Sequence, residues 1–109
     1  MRIAVATDNN QVAAHFGHCQ EFTLYDAQDG KVTAKTVVPS PAHQPGLLPR
    51  FLGEKCVNCI IAGGMGPSAQ DLFAQQNIAV VVGASGPTDD VVKAYLSGDL
   101  SLGASACHH

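Results

Sequence analysis

Apolar residues recur along this chain in short runs broken by turn-forming residues, and that rhythm predicts the elements. Ile3-Ala4-Val5-Ala6-Thr7 is stopped by Asp8-Asn9-Asn10, the pattern of a buried strand followed by a turn. From Glu21 to Asp26, Phe22 and Leu24 alternate with Thr23 and Tyr25, the two-residue period of a strand. Asp29-Gly30 is a tight-turn pair, and Lys31 to Val38 continues with β-branched residues. These two segments make a hairpin, so the first third is expected to be an antiparallel meander.

Four prolines between Pro39 and Pro49 restrict φ and predict a loop. A short helix over Leu47 to Glu54 follows, with Pro49 in the first turn, where no amide hydrogen is missed. Val57 to Ala62 reads as a strand, and Gly63-Gly64-Met65-Gly66-Pro67 as the turn into a helix over Ser68 to Gln76. Ala79 to Val82 is nearly continuous apolar, which suits a strand covered on both faces. Thr88-Asp89-Asp90 is expected to cap a last helix through Leu96, ended by Gly98. The order β-β-β-α-β-α-β-α predicts a mixed five-stranded α/β sheet flanked by helices, with right-handed parallel crossovers near its end. There is no internal repeat or linker, so residues 1 to 109 are expected to form one domain.

Composition narrows the partners. The chain is 46% hydrophobic and 14% charged, too apolar for intrinsic disorder. Six Lys and Arg stand against nine Asp and Glu, a net charge of −3, and the basic residues are scattered. That balance argues against a nucleic-acid surface. No apolar run approaches the ~20 residues that span a bilayer, so no membrane partner is expected. The first apolar run is too short for a signal peptide and ends at Asp8, which favours a cytoplasmic protein. In a reducing compartment the four cysteines would serve as ligands, redox groups or buried small hydrophobes.

Two stretches then stand out. His15-Phe16-Gly17-His18-Cys19 puts three potential ligands into five positions, and Cys107-His108-His109 ends the sequence with three more. Imidazole and thiolate together suit zinc, copper, iron and metal–sulfur clusters. On a helical turn His15, His18 and Cys19 would face one way, although Gly17 weakens that geometry and a loop could converge the same groups. The bland alternatives are surface histidines at 15 and 18, and a purification-tag remnant at the end. Cys56-Val57-Asn58-Cys59 has redox or metal spacing, but Cys59 falls in an apolar strand, expected on the same face as Val57 and Ile61. Gly63 to Gly66 would let backbone amides approach an anion at a helix start. A P-loop lysine is missing, and a plain tight turn is the alternative. Asp8, Asp26 and Asp71 have no spacing that requires a two-metal nuclease site, and no nucleophile elbow is present, so catalysis has little support.

Read in order, these segments resemble the dinitrogenase iron–molybdenum cofactor biosynthesis family. The resemblance rests on Ile3 to Thr7, His15-Phe16-Gly17-His18-Cys19 with Phe22 to Asp26, and His43-Gln44-Pro45-Gly46-Leu47-Leu48-Pro49-Arg50. Ile60 to Gly66, Ala69 to Phe73, Ile78 to Gly83 and the closing helix complete it. It implies a ribonuclease H-like fold, without nuclease activity, because fold does not fix function. It also implies a small carrier that is not an enzyme, binding iron–molybdenum cofactor, a precursor or another molybdenum- or iron-containing sulfide cluster, as orange-protein-like members do. Carried over by position, the His15 element and the Gly63 to Gly66 turn would face the cluster, with His43 nearby. The expected cofactor contacts are His15, His18, His43, Arg50, Gly64, Met65 and Gly66, and the expected direct metal ligands are His15, His18, Cys19, Cys107 and His108. Cys56 and Cys59 lie outside that pattern. Cluster-assembly or acceptor proteins would be the partners. The alternative is a thiol-redox or transition-metal-responsive module acting through a protein partner.

Overall fold

Arg2–Asp8 forms the central strand β1, because its five middle residues are apolar or small enough to be buried on both faces. In this computed structural model, which describes residues 1–41 and 47–100, the remaining strands are β2 (Gln11–Val12), β3 (Glu21–Gln28), β4 (Lys31–Pro39), β5 (Cys59–Ile61) and β6 (Ala79–Val81). The helices are α1 (Leu47–Glu54), α2 (Pro67–Gln75) and α3 (Thr88–Ser97). The main path of the sheet runs β4-β3-β1-β5-β6. β1, β3 and β4 pair antiparallel, and β1, β5 and β6 pair parallel, giving the expected mixed α/β sheet.

Side-chain alternation divides the core in two. Ala4, Ala6, Phe22, Leu24 and Ile60 face α1 and α2, meeting Leu48, Leu52 and Phe73. Ile3, Val5, Tyr25, Cys59 and Ile61 face α3, meeting Val91 and Val92. Thr23 and Tyr25, the polar half of the β3 alternation, are therefore as buried as Phe22 and Leu24. Val57 precedes the strand and packs with α1 and α2, so it does not share the face of Cys59 and Ile61 as expected.

Two further local expectations change. The sequence pattern gave no sign of β2, which pairs with the last two residues of β1 beyond the point where β5 stops. Thr88 does not cap α3. The helix begins after Pro87 without a side-chain cap, and Thr88 is instead buried against the Tyr25 hydroxyl, 2.8 Å from its Oγ1. The Asp29-Gly30 turn is as expected, with φ of 54° and 78°, the two positive values of the tight hairpin turn. Gly98 ends α3 at φ 80°.

Candidate functional site

Three loops leave the carboxyl ends of the parallel strands side by side: residues 9–20 after β1, 62–66 after β5 and 82–87 after β6. In open α/β sheets this is the end where ligands bind. Backbone hydrogen bonds tie the loops together. Gly63 N–H donates to Ala13 O at 2.9 Å, Phe16 N–H to Gly64 O at 2.9 Å, and Gly83 N–H to Gly63 O at 2.8 Å. β2 makes this approach possible by bending the first loop back along β1, where Ala13 N–H reaches Ala6 O at 2.7 Å. Position 63 must be glycine at this spacing, because a Cβ there would lie 2.9 Å from both Ala13 O and Ala14 Cα. The His15 segment and the glycine turn are thus adjacent.

Phe16 decides which way the His15 segment faces. Its ring is buried 5.2 Å from that of Phe73 and 5.8 Å from that of Phe22, centroid to centroid. Residues Phe16–His18 form a single 3₁₀ turn between extended His15 and extended Cys19. With Phe16 turned inward, His15 and His18 are exposed, their rings edge to face at 6.4 Å. Cys19 goes the other way, into the core with Phe22 and Leu24, so the three expected ligands do not share one face. Burial pushes the Cys19 thiol up to about 11, only partly offset by hydrogen bonds from the Thr7 backbone and the Ser40 side chain. A thiol so held is a poor thiolate donor at neutral pH.

The other expected residues are dispersed. Met65 is buried as a whole residue, with its side chain in the core, and Gly64 beside it is buried as well. Arg50 is exposed on α1 and has no hydrogen bond or ion pair among the described residues. His43, Cys107 and His108 lie outside the described residues. Cys56 is exposed and Cys59 fully buried, both as free thiols, so they do not present a joint site. Asp26 pairs with Arg2 at the start of β1, with Nε 2.7 Å from Oδ1, whereas Asp8 at its end accepts from Gln20 N–H. Asp71 is exposed on α2, so the three carboxylates do not gather. Among the described residues no three His, Cys, Asp or Glu side chains come together to hold a metal ion. An open cavity of about 540 Å³ lies at the far end of β1, among Arg2, Asp26, Thr33, Cys56 and Asn58. It is remote from the glycine turn and shares no residue with it.

One contribution had no counterpart in the sequence reading. The Gln70 side chain on α2 donates from Nε2 to Met65 O at 2.9 Å, inside the glycine turn. A glutamine whose partner is a carbonyl five residues earlier leaves no pattern in the sequence.

Comparison with known proteins places this arrangement in context. The family model for the dinitrogenase iron-molybdenum cofactor domain matches residues 1–98. The chain belongs to this family. An uncharacterised relative from Methanocaldococcus jannaschii, MJ0580, is 31% identical over 105 residues, covering 92% of this chain and 89% of its own. The crystal structure of PH0822 superposes with a TM-score of 0.89 at 30% identity, covering 94% of each chain. The apo orange protein of Desulfovibrio gigas gives a TM-score of 0.76 at 23% identity, covering 95% of this chain and 93% of that one, a likeness of fold. Membership covers both the His15 segment and the glycine turn, and it associates this domain with cofactor or cluster chemistry.

Proposed function

We propose that this member of the dinitrogenase iron–molybdenum cofactor family is a carrier of an anionic molybdenum- or iron-containing sulfide cluster. The cluster is cargo, passed on to an acceptor or assembly protein in the cytoplasm. The observation that carries this reading is the backbone tie between the His15 segment and the glycine turn, Phe16 N–H to Gly64 O and Gly63 N–H to Ala13 O. That tie holds the segment carrying two exposed histidines against the turn ahead of α2, whose first residue, Pro67, contributes no amide hydrogen. A helix start and glycine amides favour an anion, and imidazoles donate to sulfide or ligate a metal. His15, His18 and the amides of Gly64, Met65 and Gly66 are the assigned contacts. His43 and Arg50 are proposed as further cofactor contacts, and Cys107 and His108 as further metal ligands. Cys19 is assigned to the floor beneath the site, not to the ligand set. Few direct ligands suit a carrier, which must release what it holds.

The test is anaerobic reconstitution of the protein without any added tag, using iron, tetrathiomolybdate and sulfide, read by elemental analysis and visible absorption. A coloured species containing molybdenum or iron is expected. Replacing His15 and His18 together by alanine should lower retained metal by about tenfold or more. A colourless protein that takes up only zinc, or only cycles a dithiol, would replace this reading with the metal-responsive or redox module.

A further inference from the structure

The two edges of the sheet are guarded unequally. β6 closes one edge with only three residues, a length that gives another strand little to pair with. β4 forms the other edge with nine, and among the described residues no strand pairs with its outer side. Every β4 residue except Val38 is exposed, including Val32 and Val37, two of the three large apolar side chains exposed among the described residues. Lys35 is the only charge between Val32 and Pro39, and it is turned away from the edge. Its ammonium lies over the Tyr25 ring at 5.7 Å and reaches Asp89 Oδ1 at 3.0 Å. The irregularity opposite Asp26 and Ala27 leaves Ala34 to Pro39 in regular register. Long edges normally carry free charges, bulges or a cover that block a further strand, and this stretch carries none of them.

The backbone shows which groups are open. Ser40 N–H donates to Gln20 O at 3.1 Å, in the same register that sets Glu21 opposite Pro39. Hydrogen-bonded and non-hydrogen-bonded pairs alternate along an antiparallel ladder. Ala34, Thr36 and Val38 therefore turn their backbone groups to β3, and Lys35, Val37 and Pro39 turn theirs outward. Pro39 has no N–H to present, and an outward edge position is where a sheet tolerates proline.

We infer that β4 pairs antiparallel with β4 of a second copy of this chain, across a two-fold axis at Thr36. Such an axis stands perpendicular to the sheet and sets residues of the same facing opposite each other, so it must pass through a residue position. Centring on Lys35 opposes two lysines, which is destabilising. Centring on Val37 sets Lys35 opposite Pro39, which cannot return the second hydrogen bond. Centring on Ala34 relies on Thr33, the residue left over in the register with β3. Thr36 avoids all three faults. Lys35 then exchanges both N–H···O bonds with Val37 of the second copy, and Val37 with Lys35 of the second copy. On the opposite face Ala34 meets Val38 of the second copy, and the two Thr36 side chains meet on the axis, a favourable cross-strand pair. The loops after β1, β5 and β6 lie away from this edge, so the pairing is independent of the cargo reading and leaves both candidate sites open.

The test uses the full chain, by sedimentation from about 10 µM to 1 mM, because a single strand edge is a small interface and associates weakly. A concentration-dependent dimer is expected. In a mixture of isotopically labelled and unlabelled chains, Hα contacts between copies should join Thr36 to Thr36 and Ala34 to Val38. Amide exchange at Lys35 and Val37 should slow as concentration rises. Val37→Pro removes an outward N–H without touching β3 and should weaken the dimer by about tenfold or more. Thr36→Lys and Thr36→Glu each place like charges on the axis, so each variant alone should be monomeric and an equal mixture should dimerise. Position 36 is exposed, so this charge pair decides the matter if Val37→Pro does not fold. A monomer across the whole range overturns the inference. A dimer indifferent to both substitutions at position 36 also overturns it, by placing the interface elsewhere. Slow exchange at Lys35 and Val37 at every concentration would give the edge to residues 42–46 or 101–109 of the same chain. Amides there that shift only with an added acidic, extended peptide would give it to a partner's strand. Either result overturns self-pairing.

Discussion

A methyl group added at position 63 would meet Ala13 O and Ala14 Cα at 2.9 Å, both backbone atoms with little room to give. Gly63→Ala is therefore expected to destabilise the fold by about 1–3 kcal/mol, as overpacking does, and to move the His15 segment off the glycine turn. Urea melts give the first effect, and amide shifts over residues 13–19 give the second. Phe16 offers the contrasting case. Its ring is buried between Phe22 and Phe73, so Phe16→Ala should cost about 3–5 kcal/mol and loosen both neighbouring imidazoles. His18→Ala, one turn away and exposed, should stay within about 0.5 kcal/mol while still reducing metal retention. A stability loss from His18→Ala as large as that from Phe16→Ala would show the histidines to be packing residues. The cluster at 15–19 stood out in sequence because ligand-type residues are rare in this chain. Its facing did not, because Phe16 is drawn inward by residues on β3 and α2, and that sends Cys19 into the core.

Elements whose signals are local were readable; elements fixed by distant partners were not. α1 spans the expected Leu47–Glu54, and the Asp29-Gly30 turn carries its own backbone preference. β2, in contrast, pairs through Gln11–Val12 with the end of β1, beyond the point where β5 stops at Ile61. The start of α3 is the clearest case. Thr88 looked like a cap, but Tyr25 on β3 takes it: the phenol donates to Asp89 Oδ1 at 2.6 Å and lies 2.8 Å from Thr88 Oγ1. Lys35 on β4 reaches the same carboxylate oxygen at 3.0 Å. This network joins β3, β4 and α3, and it titrates. Burial, followed by the hydrogen bond to Asp89, holds the Tyr25 phenol well above its usual range. Tyr95 is pushed up to about 12, first by its hydrogen bond with Cys59 and then by burial, and burial also raises the Cys59 thiol. Groups with raised folded-state values contribute stability below their unfolded values and lose it as pH rises. Stability should therefore decline above about pH 8.5 as the thiol is affected and more steeply above about pH 10 with the phenols. Tyr25→Phe should lower the urea midpoint at neutral pH, by about 1 kcal/mol in free energy, and flatten the alkaline decline. Asp89 runs the opposite way: Tyr25 and then Lys35 hold it below the usual carboxylate range, so its contribution is lost on acidification. An alkaline limb as steep in Tyr25→Phe as in the wild type would remove Tyr25 from this account.

Across the molecule, the sheet separates two ends with different duties. At the start of β1, Arg2 holds Asp26 and the Lys55 carbonyl, closing the edges of α1 and β3 together. At the carboxyl ends, the loops after β1, β5 and β6 are joined by backbone hydrogen bonds through Ala13, Gly63 and Gly83. Membership of a family that matches residues 1–98 was readable because it depends on ordered motifs, whereas the contact between loops some fifty residues apart depends on the parallel pairing of β1 and β5. A ligand that bridges the His15 segment and the glycine turn binds only the folded arrangement, since neither half is held against the other in the unfolded chain. Cargo at about 100 times its dissociation constant should then stabilise the protein by about 2.7 kcal/mol. For a chain of this size each kcal/mol raises the melting temperature by about 4–8 °C. Hydrogen exchange should slow at residues 13–19 and 62–66 and not around Arg2 and Asp26. Arg2→Met lowers the starting stability from the opposite end, but distant sites that share no partner act independently. It should therefore keep the full cargo-induced increment, whereas Gly63→Ala should lose most of it. Equal loss in both variants would mean that the ligand senses overall stability and not the joined loops.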